Sequence, residues 1–263
     1  MVPFNKSLSG ILSKKTEGNR VYSFAASGAG LSQHLVWGKH AKEKYDSNFF
    51  IFVIIANDFS ESLEKYEISP GFHRFILKNN KNWELSLSNY EPSLLRRMMR
   101  HSKLAMYLIT NLKIHAKLNI PLILGKYDKR KKFVSNFNAD VSKEFWKDAS
   151  SAADIYLDNI EDFIGTDKSR ILFVIDGIRP ELYEKNISKE VINSFWFKMR
   201  NYFIQQAKLR KFEIIDMQEA FKNDYNQNSK KFEFKKDSHW NSYGHATVAK
   251  SILKSNVWNK FIE

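Results

Sequence analysis

Two uninterrupted apolar runs constrain the fold of this chain more than any other feature. The first is Phe-Phe-Ile-Phe-Val-Ile-Ile at residues 49–55, and the second is Ile-Leu-Phe-Val-Ile at residues 171–175. A strand that faces water on one side alternates apolar and polar residues, so a continuous run is typical of a parallel sheet covered by helices on both faces. Each run stops at small or polar residues, at 56–58 and at 176–177. The pattern therefore predicts an α/β protein with both runs in one buried sheet.

Helical patterns alternate with the strand patterns along the chain. Residues 20–25 predict a strand, residues 31–45 a helix, and residues 49–55 the next strand, which together form a βαβ unit. Further predicted elements are helices at 5–16, 92–118, 141–163 and 188–209 and strands at 170–176 and 212–216. We therefore expect one domain over residues 1–263, a three-layer sandwich around a mainly parallel sheet, with an irregular or helical insertion around 59–140.

The amino-acid composition limits the classes of partner that this chain is expected to bind. The chain has 263 residues, 43% of them hydrophobic, which suffices for a full core. Its formal net charge is +13, and basic residues gather in the region 96–132, so an anionic surface is a possible partner. No nucleic-acid-binding motif accompanies that charge, so nucleic acid is not the expected partner. No apolar run reaches the ~18–20 residues that span a bilayer.

Metal and cofactor sites are not indicated. The chain has no cysteine, which excludes disulfides and cysteine-based metal sites. Its histidines show no spacing typical of a metal site, and no motif indicates a cofactor.

The stretch Lys-Asp-Ser-His-Trp-Asn-Ser-Tyr-Gly-His at 236–245 carries the strongest chemical signal. It puts Asp237 two residues before His239, and an apolar helical pattern follows. An imidazole can accept and return a proton near neutral pH, and a carboxylate can hold its tautomer. The alternative is a polar loop whose Asp and Ser cap a helix. We expect His245, one turn into that helix, to pack or cap.

Two other loops follow predicted strands and offer hydrogen-bond donors. Gly28 lies in the small-residue turn Ala-Ser-Gly-Ala-Gly and offers an unshielded backbone N–H. Asn57 follows the first apolar run and offers a side-chain amide. Two donors beside an Asp–His pair are the parts of an acyl-transfer site. Alternatively, Gly28 serves a tight turn and Asn57 caps a helix. Asp176 and Asp216 also end strands, where we expect sheet-end hydrogen bonds.

Taken together, these loops resemble the conserved blocks of the SGNH (GDSL-type) hydrolase superfamily. Residues 23–30 resemble the second block, with Gly28 as the oxyanion glycine, and Ala56-Asn57-Asp58 resembles the third, with Asn57 as the oxyanion asparagine. Residues 237–245 resemble the last block, with His239 as base and Asp237 as its partner.

Two departures from the family pattern refine the resemblance. Alanine replaces the usual glycine at position 56, and Asp precedes His by two residues instead of three. The two-residue spacing between Asp and His resembles that of the branch of the superfamily that contains polysaccharide O-acetyltransferases and related esterases. The resemblance implies a flavodoxin-like fold, no cofactor, and ester hydrolysis or O-acyl transfer on a carbohydrate or lipid through a serine acyl-enzyme.

The first block of the family is the part that this sequence lacks. No Gly-Asp-Ser occurs in the chain, and Ser7 and Ser9, in Ser-Leu-Ser-Gly, resemble a serine elbow only superficially. We therefore expect the first strand and its nucleophilic serine to be missing from this sequence, and the chain as written to be inactive or nearly so. An export signal could lie upstream as well, so no compartment is predicted. The alternative function is a non-catalytic protein of the same fold that binds a glycan or another anionic ligand.

Overall fold

The computed structural model describes most of the chain. The described residues are 2–16, 18–66, 70–79, 82–92, 94–110, 141–184, 189–235 and 237–263. They divide into two compact units, a larger one of Met1–Ser88 with Ser135–Glu263 and a smaller one of Asn89–Val134. Residues 59–88, which the sequence suggested as part of an insertion, belong to the larger unit.

The secondary structure is mixed α/β. The strands are β1 (Phe50–Ile54), β2 (His73–Asn79), β3 (Asn82–Leu87), β4 (Ile171–Ile175), β5 (Glu213–Asp216), β6 (Glu233–Phe234) and β7 (Asp237–Trp240). The helices of the larger unit are α1 (Leu8–Ser13), α2 (Leu31–Tyr45), α3 (Asp58–Glu61), α6 (Lys143–Ile164), α7 (Arg179–Tyr183), α8 (Lys189–Asn193), α9 (Phe195–Leu209), α10 (Met217–Asn228), α11 (Ser242–Ile252) and α12 (Asn256–Ile262). The smaller unit contains α4 (Leu94–Arg100) and α5 (Lys103–Thr110).

Both apolar runs form strands of one parallel sheet, as predicted. The order is β1-β4-β5, with Phe50 opposite Ile171 and Leu172 opposite Glu213. Every residue of the central strand β4 is buried. A strand covered on both faces has no solvent side, which explains why its sequence lacks alternation.

Alternate residues of the strands enter two separate apolar clusters, because successive side chains of a strand point to opposite faces. Phe52 and Phe173 join a cluster that also contains residues of α2, α6 and α9. Leu172 and Val174 join a second cluster with residues of α1, α10, α11 and α12.

The strand predicted at residues 20–25 does not form. These residues make no strand ladder with any described residue, and all but Val21 are exposed. Apolar alternation favours an extended chain, but a strand also needs a neighbour for its backbone N–H and C=O groups.

The segment 59–88, predicted to be irregular, contains an antiparallel hairpin of β2 and β3. Phe75 lies opposite Leu85, and Leu77 opposite Trp83. The rings of Phe75 and Trp83 contact at 5.3 Å between centroids. Asn79, interpreted as a breaker, ends β2 and lies opposite Asn82.

The long helix predicted at 92–118 is broken. Helices α4 and α5 are separated at His101-Ser102, and the Ser102 hydroxyl accepts a hydrogen bond from Ala105 N–H at 3.2 Å. Serine caps helix N-termini in this way, so it starts a new helix where the apolar pattern alone continued the old one. Residues 111–118, and the loop predicted at 119–140, lie outside the described residues.

Two further predicted elements, a helix and a loop, differ from the structure. The helix predicted at 188–209 is divided at Ser194, whose hydroxyl accepts from Phe197 N–H at 3.2 Å, and Ser188 lies outside the described residues. The Asp237 loop is a short strand, β7, paired antiparallel with β6. The helix predicted after it does form, as α11.

Among the described residues, no helix combines the length and the apolar character that a membrane crossing requires.

Candidate functional site

The carboxyl ends of the three parallel strands meet at one edge of the sheet, where open α/β sheets bind their ligands. Strand β1 leads there into Asn57, β4 into Asp176, and β5 ends at Asp216. The Asp176 backbone N–H donates to Ile54 C=O at 3.1 Å, so β1 and β4 remain paired up to this edge.

The Gly28 turn has a backbone that glycine alone adopts readily. Ala29 N–H donates to Ala26 C=O at 3.3 Å, and Gly28 has φ +87°. A positive φ at the third residue of a β-turn strongly favours glycine, because a Cβ would clash with the backbone. Gly28 C=O accepts from Arg74 Nη2 at 2.9 Å.

The turn containing Gly28 packs directly against the segment that follows Asn57. A Cβ on Gly30 would lie 2.7 Å from Asp58 O and 2.7 Å from Ser62 N, so only glycine permits this approach. Arg74 joins the same two segments, since its guanidinium donates to Gly28 C=O and to Glu61 C=O. The structure therefore brings together the two loops that were predicted to supply oxyanion donors.

Arg74 was not singled out from the sequence. It is fully buried on β2, in a segment interpreted as irregular. A single arginine in a polar stretch carries no signal that its guanidinium will bridge two distant loops.

Asn57 does not cap α3 with its side chain, which argues against the alternative interpretation. Burial raises the pKa of the Glu61 carboxyl, while the neighbouring Asn57 amide and the charge of Arg74 oppose that shift.

Asp58, the residue after Asn57, stabilises the turn that follows β1. The carboxyl is buried, and Oδ2 accepts from Ile55 N–H at 2.8 Å. Burial raises the pKa of Asp58 well above its usual range, and the nearby Glu61 adds to the shift. The hydrogen bond to Ile55 closes the tight turn after β1 and thereby places Asn57 at the sheet edge.

The His239 strand is attached to the same edge through its neighbour Trp240. Trp240 Nε1 donates to Asp176 Oδ1 at 2.9 Å, and Asp176 is itself buried at the end of β4. Arg179 Nη1 lies 2.8 Å from each carboxylate oxygen of Asp176. Asp176 therefore makes the predicted sheet-end hydrogen bonds, and one of them holds the histidine strand.

The residues after Trp240 fold the hairpin and start the next helix. Asn241 Oδ1 accepts from Tyr243 N–H at 2.9 Å and from Gly244 N–H at 3.0 Å, which caps α11. Asn241 Nδ2 donates to Lys231 C=O and Glu233 C=O, both at 2.9 Å. A Cβ on Gly244 would lie 2.5 Å from Phe232 O. The polar and glycine positions of this motif are thus explained by local folding.

His239 itself is exposed on β7. Asp237 lies two residues earlier on the same strand, and positions two apart on a strand belong to the same face. The side chain of Asp237 lies outside what the structure describes, so the contact between the carboxylate and the imidazole stays a prediction.

His245 packs, as expected. Its ring meets Trp240 edge-on at 5.7 Å between centroids, and burial lowers its pKa. His245 Nδ1 accepts from Leu8 N–H at 3.3 Å, so the first turn of α1 lies against α11.

Ser7 and Ser9, the two serines considered as nucleophiles, have local partners. Ser7 Oγ donates to Phe4 C=O at 2.7 Å and accepts from Gly10 N–H at 3.2 Å, which makes it the N-cap of α1. Ser9 Oγ lies 3.3 Å from Ser7 Oγ.

The remaining strand-end acid, Asp216, has partners at the end of its own strand. Asp216 caps α10 by accepting from Gln218 N–H at 2.8 Å and pairs with Arg200, which confirms the expected sheet-end bonding. In the part of the chain that the structure describes, no group of three or more His, Asp or Glu residues could hold a metal ion.

Comparison of the chain with protein-family models, with curated proteins and with solved structures finds no match.

Proposed function

We propose that this chain is an SGNH-type hydrolase domain that cleaves or transfers an ester through a serine acyl-enzyme. One observation carries the proposal. The Gly28 and Asn57 loops pack against each other, and Trp240 attaches the His239 strand to Asp176 at the end of the neighbouring sheet strand. Acyl transfer needs donors and a base at one place, and these three loops are far apart in sequence.

The fold proposed with this function is a flavodoxin-like three-layer sandwich. It is supported by the two apolar clusters that receive alternate residues of β1 and β4. The family fold has a further strand beside β1, and the edge of β1 away from β4 pairs with no described strand.

The segment 19–30 is linked to both ends of β1. Near one end Asn19 Nδ2 donates to Phe261 C=O at 3.3 Å, and the Phe261 ring lies 5.5 Å from that of Phe49, just before β1. At the other end Gly30 meets Asp58, just after β1. The segment thus has contacts near both ends of β1, and its residues pair with no described strand.

In the proposed mechanism His239 accepts the proton of the serine hydroxyl as the oxygen attacks the acyl carbon, and Asp237 holds the imidazole. The Gly28 N–H and the Asn57 amide donate to the oxyanion of the tetrahedral intermediate. The Asn57 amide carries two N–H donors, either of which could donate to the oxyanion. His239 then returns the proton to the leaving alkoxide, and water or an acceptor hydroxyl completes hydrolysis or transfer.

The test compares hydrolysis of p-nitrophenyl acetate by this chain and by a chain extended with the residues encoded directly upstream of the Met1 codon. We expect near-background hydrolysis from this chain and clear activity from the extended one. In the extended chain H239A should abolish turnover, and N57A should lower kcat by about 10²–10³, as loss of one oxyanion donor does.

Two results would contradict the proposal. If this chain hydrolysed the ester and the H239A variant did so equally well, His239 would not be the base. An extended chain with a Gly-Asp-Ser block and no ester cleavage would instead support the non-catalytic binding protein of the same fold.

A further inference from the structure

The smaller unit exposes large apolar side chains on both of its described helices. Leu94 and Met98 on α4 are 71% and 63% exposed, and Leu104 and Tyr107 on α5 are 67% and 51% exposed. Leu94 and Met98 are four residues apart and Leu104 and Tyr107 are three apart, so each pair lies on one face of its helix. Single exposed apolar residues are ordinary, but two such pairs on consecutive helices form an apolar face that no described residue covers.

The same helices carry only positive charge. From Pro92 to Tyr127 the sequence contains no Asp or Glu and has seven Lys or Arg residues. Three of these, Arg97, Arg100 and Lys103, are exposed on or beside the two helices. Arg100 also stacks over the ring of Tyr90 at 5.2 Å, which leaves an aromatic group beside the cations.

We propose that this face of α4 and α5 docks on the surface of an anionic lipid bilayer. Helices that lie in a membrane interface combine an apolar face with Lys and Arg residues, and the cations meet the lipid head groups while the apolar side chains enter the acyl boundary. A nucleic acid would use the cations through its phosphates, but it offers nothing to exposed leucine and methionine. The combination of positive charge and exposed apolar side chains therefore favours an anionic lipid surface over a nucleic acid as the partner. This inference does not depend on the proposed hydrolase activity.

The experiment measures co-sedimentation of the full chain with vesicles of phosphatidylcholine alone or mixed with phosphatidylglycerol. We expect binding to the anionic vesicles, weaker binding to the neutral ones, and loss of affinity as salt is raised. M98S/L104S should weaken binding to anionic vesicles by about tenfold, since each change removes part of an inserted side chain. R97Q/K103Q should weaken it by roughly 20–30-fold, at about a fivefold loss for each cation near the surface.

Matched variants in the larger unit serve as controls. Leu209 and Ile262 are 67% and 49% exposed, and Lys250 and Lys254 are exposed as well. L209S/I262S and K250Q/K254Q change the same chemistry elsewhere and should leave vesicle binding unchanged. Hydrogen exchange of the wild-type chain should slow within residues 94–110 when anionic vesicles are added.

Three results would overturn the proposal: no binding to either vesicle, equal weakening by the control variants, or binding that M98S/L104S leaves intact. Tighter binding of a single-stranded oligonucleotide that depends on Arg97 and Lys103 but not on Met98 would identify a nucleic-acid surface instead.

Discussion

At the scale of single residues, the last sequence motif combines residues that shape the backbone with the proposed catalytic histidine. Trp240, Asn241 and Gly244 each have a structural role in this hairpin and helix start, and His239 lies exposed on the same strand as Trp240. A motif can therefore look catalytic throughout while most of its residues shape the backbone.

The bond between Trp240 and Asp176 yields a residue-scale prediction. W240F keeps the aromatic ring but removes the indole donor, and D176N removes the charged acceptor. We expect W240F to lower the free energy of unfolding by about 1–3 kcal/mol, because a hydrogen bond to a buried carboxylate is lost. Urea unfolding of both single variants and of the double variant measures their coupling, which we expect to be about 0.5–3 kcal/mol. Strictly additive effects would show that the two side chains do not cooperate.

At the scale of elements, the site depends on close approach between loops that lie far apart in the sequence. Gly30 brings the Gly28 turn onto the Asp58–Ser62 backbone, and Arg74 on β2 donates to both segments. The hairpin of β2 and β3, which contains none of the predicted site residues, thus organises the proposed oxyanion hole.

The contact at Gly30 can be tested by adding one methyl group. In G30A the new Cβ would meet backbone atoms at 2.7 Å, and backbone cannot move aside as a flexible side chain does. We expect an overpacking cost of about 1–3 kcal/mol in the free energy of unfolding, measured by urea denaturation. The nearby S27A, at an exposed position, is the matched control and should cost under about 0.5 kcal/mol. A G30A variant as stable as wild type would refute the close packing of the two loops.

At the scale of the whole molecule, burial of polar groups makes stability depend on pH. His34 on α2 is partly buried, its ring contacts those of the core residues Phe52 and Tyr156, and its Nδ1 has no hydrogen-bond partner among the described residues. Burial lowers the pKa of His34 to about 4 from 6.5. Between pH 6.5 and about 4, His34 is therefore protonated in the unfolded chain and neutral in the folded chain.

The sign of this effect gives a whole-molecule prediction. Stability from His34 is fully present above pH 6.5 and is lost as pH falls from 6.5 to about 4, by roughly 3 kcal/mol in total. H34F keeps an aromatic ring in the same place without a titrating nitrogen, so its free energy of unfolding should fall less over this range. Urea denaturation at several pH values measures both slopes, and parallel curves for the two proteins would contradict the prediction.

Much of the fold was predictable because burial determines sequence pattern locally. The runs at 49–55 and 171–175 indicated buried parallel strands, and the helical period predicted α2 over the same residues that it occupies, 31–45. The strand predicted at 20–25 did not form, because a strand needs a second segment to pair with. The local sequence pattern contains no information about whether such a segment lies beside it.

Sequence by itself determined the buried parallel strands and helix α2, and it predicted which loops would carry donors and a base, because residue chemistry and periodicity are local properties. Only the tertiary structure decided which loops meet. Trp240 reaches Asp176 across 64 positions and Arg74 reaches Gly28 across 46. Such contacts depend on how the parallel strands align their carboxyl ends, and that alignment is set by packing of the whole sheet between its two apolar clusters.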